Sequence, residues 1–268
     1  MADNAEILSS PNALTALVLI HQPDAKAVYR VFQYVDIDGR ARVEGCIDIG
    51  STAEVEARNN ILRANADEAI KGTLDIFGVG IKAIRYRWPN KTVPYRVDAS
   101  LPNAQRVTDA IAHWQQKTPF KFVMRDPNNS SHSDFVTFRA GSGCSSSVGR
   151  QGGEQFVTLG SACTKGNCIH EIGHTIGLWH EQSRADRDLF IRIAFENIQS
   201  GMEHNFYQHI TDGIDLGSYD YGSIMHYPAD AFSKNGKPTI MPVNGTPSIG
   251  QRTGLSPGDI AAVRQLYT

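Results

Sequence analysis

The stretch from His170 to Glu181 reads H-E-I-G-H-T-I-G-L-W-H-E, and it restricts the fold more than any other part of the chain. Residues four apart on a helix share a face, so His170 and His174 can hold one metal ion between them. Imidazole suits Zn²⁺, and three protein ligands leave one position open. Glu171, next to the first ligand, is placed to act as a general base. Gly177 can adopt a positive φ, which stops the helix and turns the chain back. His180 then becomes the third ligand. The fold must therefore contain a buried helix that ends abruptly at Gly177.

The bulk numbers are those of an ordinary globular chain. It has 268 residues, 41% hydrophobic and 20% charged, with a formal net charge of −2. That balance gives no electrostatic reason to expect a nucleic-acid partner. No apolar run reaches the length of a membrane span. Residues 13–20 are mostly apolar and imitate a signal-peptide core. However, no Lys or Arg precedes Lys26, and Asp3 and Glu6 make the start acidic. A secretory signal has the opposite charge, so Ala16 to Ile20 is expected to be a buried strand. Export is then expected by a route without an N-terminal signal peptide, as for a bacterial effector. The alternative is a cytoplasmic store.

Two blocks are visible. In the first, residues 1–79, strands are expected at Leu14–Ile20, Ala27–Val35 and Arg40–Ile47. The last two flank a turn at Asp36-Ile37-Asp38-Gly39. A helix capped by Ser51 or Thr52 follows, with Val55, Ile61, Leu62, Ala69 and Ile70 recurring at a loose helical period. Phe77-Gly78-Val79-Gly80 reads as an exposed link. In the second block, residues 80–268, strands are expected at 93–97, 120–124, 135–138 and 155–159. Helices are expected at 103–117, from near Asn167, and at 256–266 with Ser256 as N-cap.

Beyond the zinc motif lies Ser223-Ile224-Met225-His226-Tyr227, which matches the Met-containing turn beneath the metal in proteases with the extended motif. His180-Glu181-Gln182-Ser183-Arg184-Ala185-Asp186-Arg187-Asp188 is similar to an H-E-x-x-R-x-D-R-D continuation. Further matches are Gly143-Cys144, Ser147 to Arg150 and Gly152-Gly153, with Leu255-Ser256, Asp259-Ile260 and Leu266-Tyr267 at the end. On these residues the chain resembles the astacin family of zinc endopeptidases, within the metzincins, over roughly residues 85–268.

The resemblance implies an α+β, two-lobed catalytic domain. A twisted mixed sheet and two long helices would form one lobe and irregular chain the other. A small, partly β propeptide at 1–79 would precede the domain at 80–268. It implies one Zn²⁺ on His170, His174 and His180, with Glu171 taking a proton from the attacking water and passing it to the leaving amine. Tyr227 matches a tyrosine that ligates zinc in the active form and swings away to stabilise the oxyanion. Met225 would be a packing residue. Glu181 matches a position that contacts the mature N-terminus, with a plain ion-pair role as the alternative. The sheet's edge strand would hold a protein or peptide substrate by strand addition. A monomer is expected.

The four cysteines are Cys46, Cys144, Cys163 and Cys168. Cys144 and Cys163 match a family disulfide. Cys168 lies two residues before His170, about 200° around a helix, and should be free and buried rather than a co-ligand. A Cys163–Cys168 bridge is the alternative.

Animal relatives carry an F-x-G-D propeptide motif whose Asp binds the zinc. The corresponding run here is Val43-Glu44-Gly45-Cys46. Thiolate is a strong zinc ligand, so Cys46 is expected to occupy the fourth position and make the propeptide an intramolecular inhibitor. The alternatives are a buried strand cysteine or a disulfide, with Asp48 as a rival ligand.

His113, His132, His204 and His209 have no ligand spacing and are expected to be surface or satisfied residues. Arg184, Asp186, Arg187 and Asp188 are expected to form structural ion pairs. Lys91 and Arg85-Tyr86-Arg87 are expected to be solvated. The competing functional readings are another metzincin branch, against which Glu181 and Tyr227 argue, and a non-catalytic zinc-bound peptide-binding protein, against which Glu171 argues.

Overall fold

Four strands and one helix precede the second block, and the strands join its sheet rather than standing apart from it. The computed structural model describes residues 14–20, 28–64, 84–209 and 213–268. The acidic start, the link at 77–80 and the helical positions Ala69 and Ile70 lie outside the described residues. So does the burial expected for Ala16 to Ile20.

The first block contains β1 (Leu14–Ile20), β2 (Val28–Ile37), β3 (Arg40–Val43), β4 (Ile47–Ser51) and α1 (Thr52–Ala64). Asp38 and Gly39 both adopt positive φ in the β2–β3 turn, as an Asp-Gly hairpin requires. Gly39 N–H donates to Asp36 Oδ1 at 2.9 Å. Ser51 caps α1 reciprocally with Glu54: Glu54 N–H reaches Ser51 Oγ, and Ser51 N–H reaches Glu54 Oε2.

The arm expected as one strand over 40–47 is two strands. Glu44 (φ 47°) and Gly45 (φ 69°) are both left-handed, and the chain reverses over Glu44–Cys46. Apolar alternation carries no signal for a turn this tight, whereas a glycine in it does. Cys46 thus sits in a turn and not within a strand.

The second block supplies β5 (Thr92–Val97), α2 (Gln105–Lys117), β6 (Lys121–Met124), β7 (Phe135–Arg139), β8 (Cys144–Ser146), β9 (Glu154–Leu159) and α3 (Lys165–Ile176). The described strands form a nine-stranded mixed sheet in the order β1-β2-β3-β4-β8-β9-β7-β5-β6. β5, β6, β7 and β9 pair in parallel, whereas β8 runs antiparallel to β9. The short β8 was not anticipated, because three residues show no period.

The main core lies between this sheet and the helices. Val107, Ala110, Ile111 and Trp114 of α2 meet Ile169, Ile172 and Ile176 of α3. Cys168 is in the same core, with its thiol reduced. Cys144 and Cys163 form the disulfide expected from the resemblance, 19 residues apart in sequence.

After Gly177 the chain is mostly irregular, with short 3₁₀ turns and one small pair, β10 (Ile191–Ile193) and β11 (Ile240–Pro242). α4 (Pro257–Leu266) returns to the main core through Val263 and Leu266. The architecture is therefore α+β, with a sheet-and-helix lobe and an irregular lobe.

The first block touches both lobes. Its own cluster, including Tyr34, Val43, Ile47 and Val55, closes on Val148 and Trp179. Val35 of β2 joins the irregular lobe's cluster with Ile198, Phe206 and Tyr227.

Close approach of α3 to the irregular lobe requires glycine at 166, where an added Cβ would lie 1.7 Å from the Arg252 carbonyl oxygen. Since that atom is backbone and cannot rotate away, Gly166→Ala should lower unfolding free energy by about 1–3 kcal/mol, read by urea denaturation.

Candidate metal centre

The metal-binding motif becomes a site because both ends of α3 are tied. Thr164 caps its start and Asn167 completes the box. At its end Gly177 (φ 111°) takes the left-handed conformation. Gly177 N–H then donates to His174 O and Leu178 N–H to Gly173 O, the paired bonds of a Schellman stop. Trp88 Nε1 and the Tyr267 hydroxyl donate to the last carbonyls, Thr175 O and Ile176 O. Trp114 Nε1 holds Ile169 O. With the helix stopped at Gly177, His180 swings back beneath His170 and His174.

The orientation of each imidazole follows from its outer nitrogen. His170 Nδ1 lies 2.8 Å from Ile224 O, and His174 Nδ1 lies 2.8 Å from Leu178 O. A carbonyl only accepts, so both Nδ1 atoms carry the proton and both Nε2 lone pairs face inward. His180 Nδ1 lies 2.6 Å from Glu44 Oε2, a carboxylate, with the same consequence. Burial pushes the His170 and His174 pKa values well down, keeping the rings neutral, as ligation requires.

Cys46 Sγ sits at the centre of these three nitrogens. It lies 3.8 Å from His170 Nε2, 3.4 Å from His174 Nε2 and 3.4 Å from His180 Nε2. A thiol has one proton and can donate to one lone pair, so three lone pairs converging on one sulfur call for a cation. Tetrahedral zinc, with Zn–S of about 2.3 Å and Zn–N of about 2.0–2.1 Å, places sulfur and nitrogen about 3.6 Å apart. The four donor atoms all lie within 4.8 Å of one another, and their residues are the one such group among the described residues. The donor set fits zinc.

The Met-containing turn is positioned from α4. Asp259 completes the Ser256 cap and also accepts from Ser223 Oγ at 2.6 Å and Ile224 N–H at 3.0 Å. That fixes Ile224 O, the acceptor for His170. Met225 packs with its sulfur over Gly173, where an added Cβ would lie 2.5 Å from it. The Tyr227 hydroxyl donates to Glu44 O at 2.7 Å.

Glu171 is buried on the metal-facing helix. Burial pushes the Arg42 guanidinium down, while the charges of Asp48 and Glu171 oppose that shift. Glu181 accepts from Asp220 N–H at 2.8 Å and lies 3.7 Å from Arg184 Nη1. Burial pushes its carboxyl up to about 8.

Several minor expectations are met or revised. Asp48 is held in an ion pair with Arg40 at 2.7 Å and is not a ligand. The backbone of residues 85–87 is docked, since Arg150 donates hydrogen bonds to the carbonyls of Arg85, Tyr86 and Arg87, while Arg85 stays exposed as expected. Arg184 pairs with Asp186, and Arg187 with Asp188. Cys163 bridges to Cys144 and not to Cys168.

Two residues at the site were missed. His209 is buried, donates to Glu44 Oε1 and packs tilted against Trp179 with ring centroids 4.2 Å apart. Glu44 was quoted only as part of the run that ends in Cys46. The neighbouring Gly45, which permits a turn, was the available signal.

Comparison with known proteins decides the family. The model of the Astacin peptidase family matches residues 80–268. The chain belongs to the astacin family. It is 42% identical over 200 residues to "Zinc metalloproteinase nas-13" of Caenorhabditis elegans, covering 72% of this chain and 44% of that protein. It is 42% identical over 191 residues to "Bone morphogenetic protein 1" of Xenopus laevis, covering 67% and 27%. The chain thus spans less than half the length of either relative. A solved hatching-enzyme zinc-protease, high choriolytic enzyme 1 from Oryzias latipes, superposes with a TM-score of 0.61 at 35% identity. That match covers 69% of this chain and 92% of the other. Astacin-family peptidases use one catalytic zinc, and His170, His174 and His180 are the residues that would hold it here.

Because the cluster is built from three separate parts of the chain, metal should report on folding. Stripping zinc with a chelator should lower the unfolding free energy by about 4 kcal/mol relative to protein in free zinc at a thousandfold excess over its dissociation constant. Calorimetry of the stripped and reloaded protein checks this.

Proposed function

We propose that this chain is a zinc-dependent endopeptidase held in a latent form, with residues 1–79 as propeptide and 80–268 as catalytic domain. The family match, which begins at residue 80, supports that division. Zinc bound by the three histidines would supply Lewis acidity and lower the pKa of a water in its open position to about 7.

The chain's own residues would do the rest. Glu171 takes the proton of the attacking water and returns it to the leaving amine. Tyr227, released from Glu44 O, turns its hydroxyl toward the oxyanion of the tetrahedral species. β8 offers its outer edge to the substrate backbone. In the latent chain that edge is covered, since Ile47 of β4 pairs in parallel with Ser146 and Ser146 N–H donates to Cys46 O at 3.0 Å.

The observation that carries latency is the position of Cys46 Sγ amid the three Nε2 atoms. A sulfur there would exclude water from the fourth position, and the tether keeps it at high effective concentration. Activation would require departure of the hairpin.

Substrates are proteins or peptides, and the first block serves as the chain's own inhibitor. The disulfide fits an oxidising destination, so we place the protein outside a reducing cytosol. No helix among the described residues is long and apolar enough to cross a membrane.

Full-length Cys46→Ala should hydrolyse casein without prior cleavage, whereas the wild-type chain should do so only after limited proteolysis. A Cys46→Ala chain as silent as the wild type would leave the latency reading without support. Glu171→Ala should reduce turnover of the activated protein by about 10²–10⁴-fold. Unchanged turnover would reject the mechanism in favour of chemistry elsewhere. Retained peptide binding with no turnover in the activated wild type would favour the non-catalytic binding protein.

A further inference from the structure

The three metal-ligating histidines are not supported from the same part of the chain. His170 and His174 are oriented by backbone carbonyls of the catalytic block, Ile224 O and Leu178 O. His180 is oriented by the side chain of Glu44, which belongs to the first block. Departure of that block would leave two of these supports in place and remove the third.

Glu44 is anchored well beyond what a plug at the metal needs. Its side chain is buried. Oε2 accepts from His180 Nδ1 at 2.6 Å and faces Ser183 Oγ at 3.4 Å, while Oε1 accepts from His209 Nε2. Its carbonyl accepts from Tyr227.

The left-handed pair Glu44 and Gly45 makes this geometry possible. It lets residues two apart approach one metal position, Cys46 directly and Glu44 through the far nitrogen of a ligand. A carboxylate behind a ligating imidazole fixes the ring and raises its basicity, and loss of such a partner typically costs 10–100-fold in metal affinity.

We propose that Glu44 is a positioning residue for His180, supplied by the propeptide, so that the docked propeptide tightens the metal as well as covering it. The inference rests on the latent reading above. It adds that zinc is held more weakly once the propeptide leaves. Loading in the latent chain would then be the favoured order, with the propeptide acting as an assembly aid for the site.

The test uses the full chain and zinc alone. Zinc dissociation constants are measured by competition with a chromogenic chelator for wild type, Glu44→Gln and Glu44→Asp. Melting of each metal-free chain is followed in parallel. Glu44→Gln keeps the shape and loses the charge, and should weaken zinc binding by about 10–100-fold. Glu44→Asp keeps the charge on a shorter stem and should fall between the two.

Zinc affinity within twofold of wild type in Glu44→Gln overturns the proposal. So does a Glu44→Gln effect confined to the melting of the metal-free chain, which would mark a purely structural role. Should Glu44→Gln not fold, Glu44→Asp carries the same test. Cobalt substitution separates the two readings. A sulfur-to-cobalt charge-transfer band in wild type that persists in Glu44→Gln, with weakened affinity, supports Glu44 acting on His180. Absence of that band in wild type removes Cys46 ligation and leaves the Glu44 measurement standing.

Discussion

Each of three buried imidazoles must turn the same nitrogen inward, and each does so because an acceptor stands behind the other nitrogen. The site depends on this constraint before any metal arrives. A ring free to flip would present a proton as readily as a lone pair. The acceptors come from three separate places: the turn after α3, the Met-containing turn, and the β3–β4 turn. The large-scale fold can be understood as the means of bringing those three places to one helix.

Each supporting contact has its own mechanical origin. Leu178 O is in position because Gly177 can hold a left-handed φ and the helix stops there. Ile224 O is in position because Asp259, at the start of α4, grips the turn that contains it. Helix α4 in turn packs through Val263 and Leu266 into the main core. Position at the metal is therefore transmitted through packed apolar contacts from the far end of the chain. The Glu44 support has a different origin, since it comes on the hairpin of β3 and β4 in the first block.

Much of this was legible in one dimension. The helix stop at Gly177, the caps at Ser51 and Ser256 and the Asp-Gly hairpin are local, since each depends on residues within a few positions of one another. The Cys144–Cys163 bridge was legible through resemblance. What escaped was short or distant. β8 has three residues and no period. The Glu44–Gly45 turn interrupts a strand pattern that continues on both sides. His209 has no sequence relation to the ligands, and its place beside Trp179 and Glu44 is set by contacts 30 and 165 residues away.

The motif alone determined the donor types, their spacing on α3, the base beside them and the need for a stop after Ile176. Those are properties of helical geometry and side-chain chemistry, and they hold wherever the helix is placed. Tertiary structure decided which atoms stand behind the ligands and which atom stands among them. That Cys46 reaches the centre, and that Glu44 two residues earlier reaches the back of His180, depends on a left-handed turn docked across a distance of more than a hundred residues. Sequence separation carries no information about such a meeting. It is fixed by the packing of β3 and β4 against Val148 and Trp179, and by the pairing of β4 with β8.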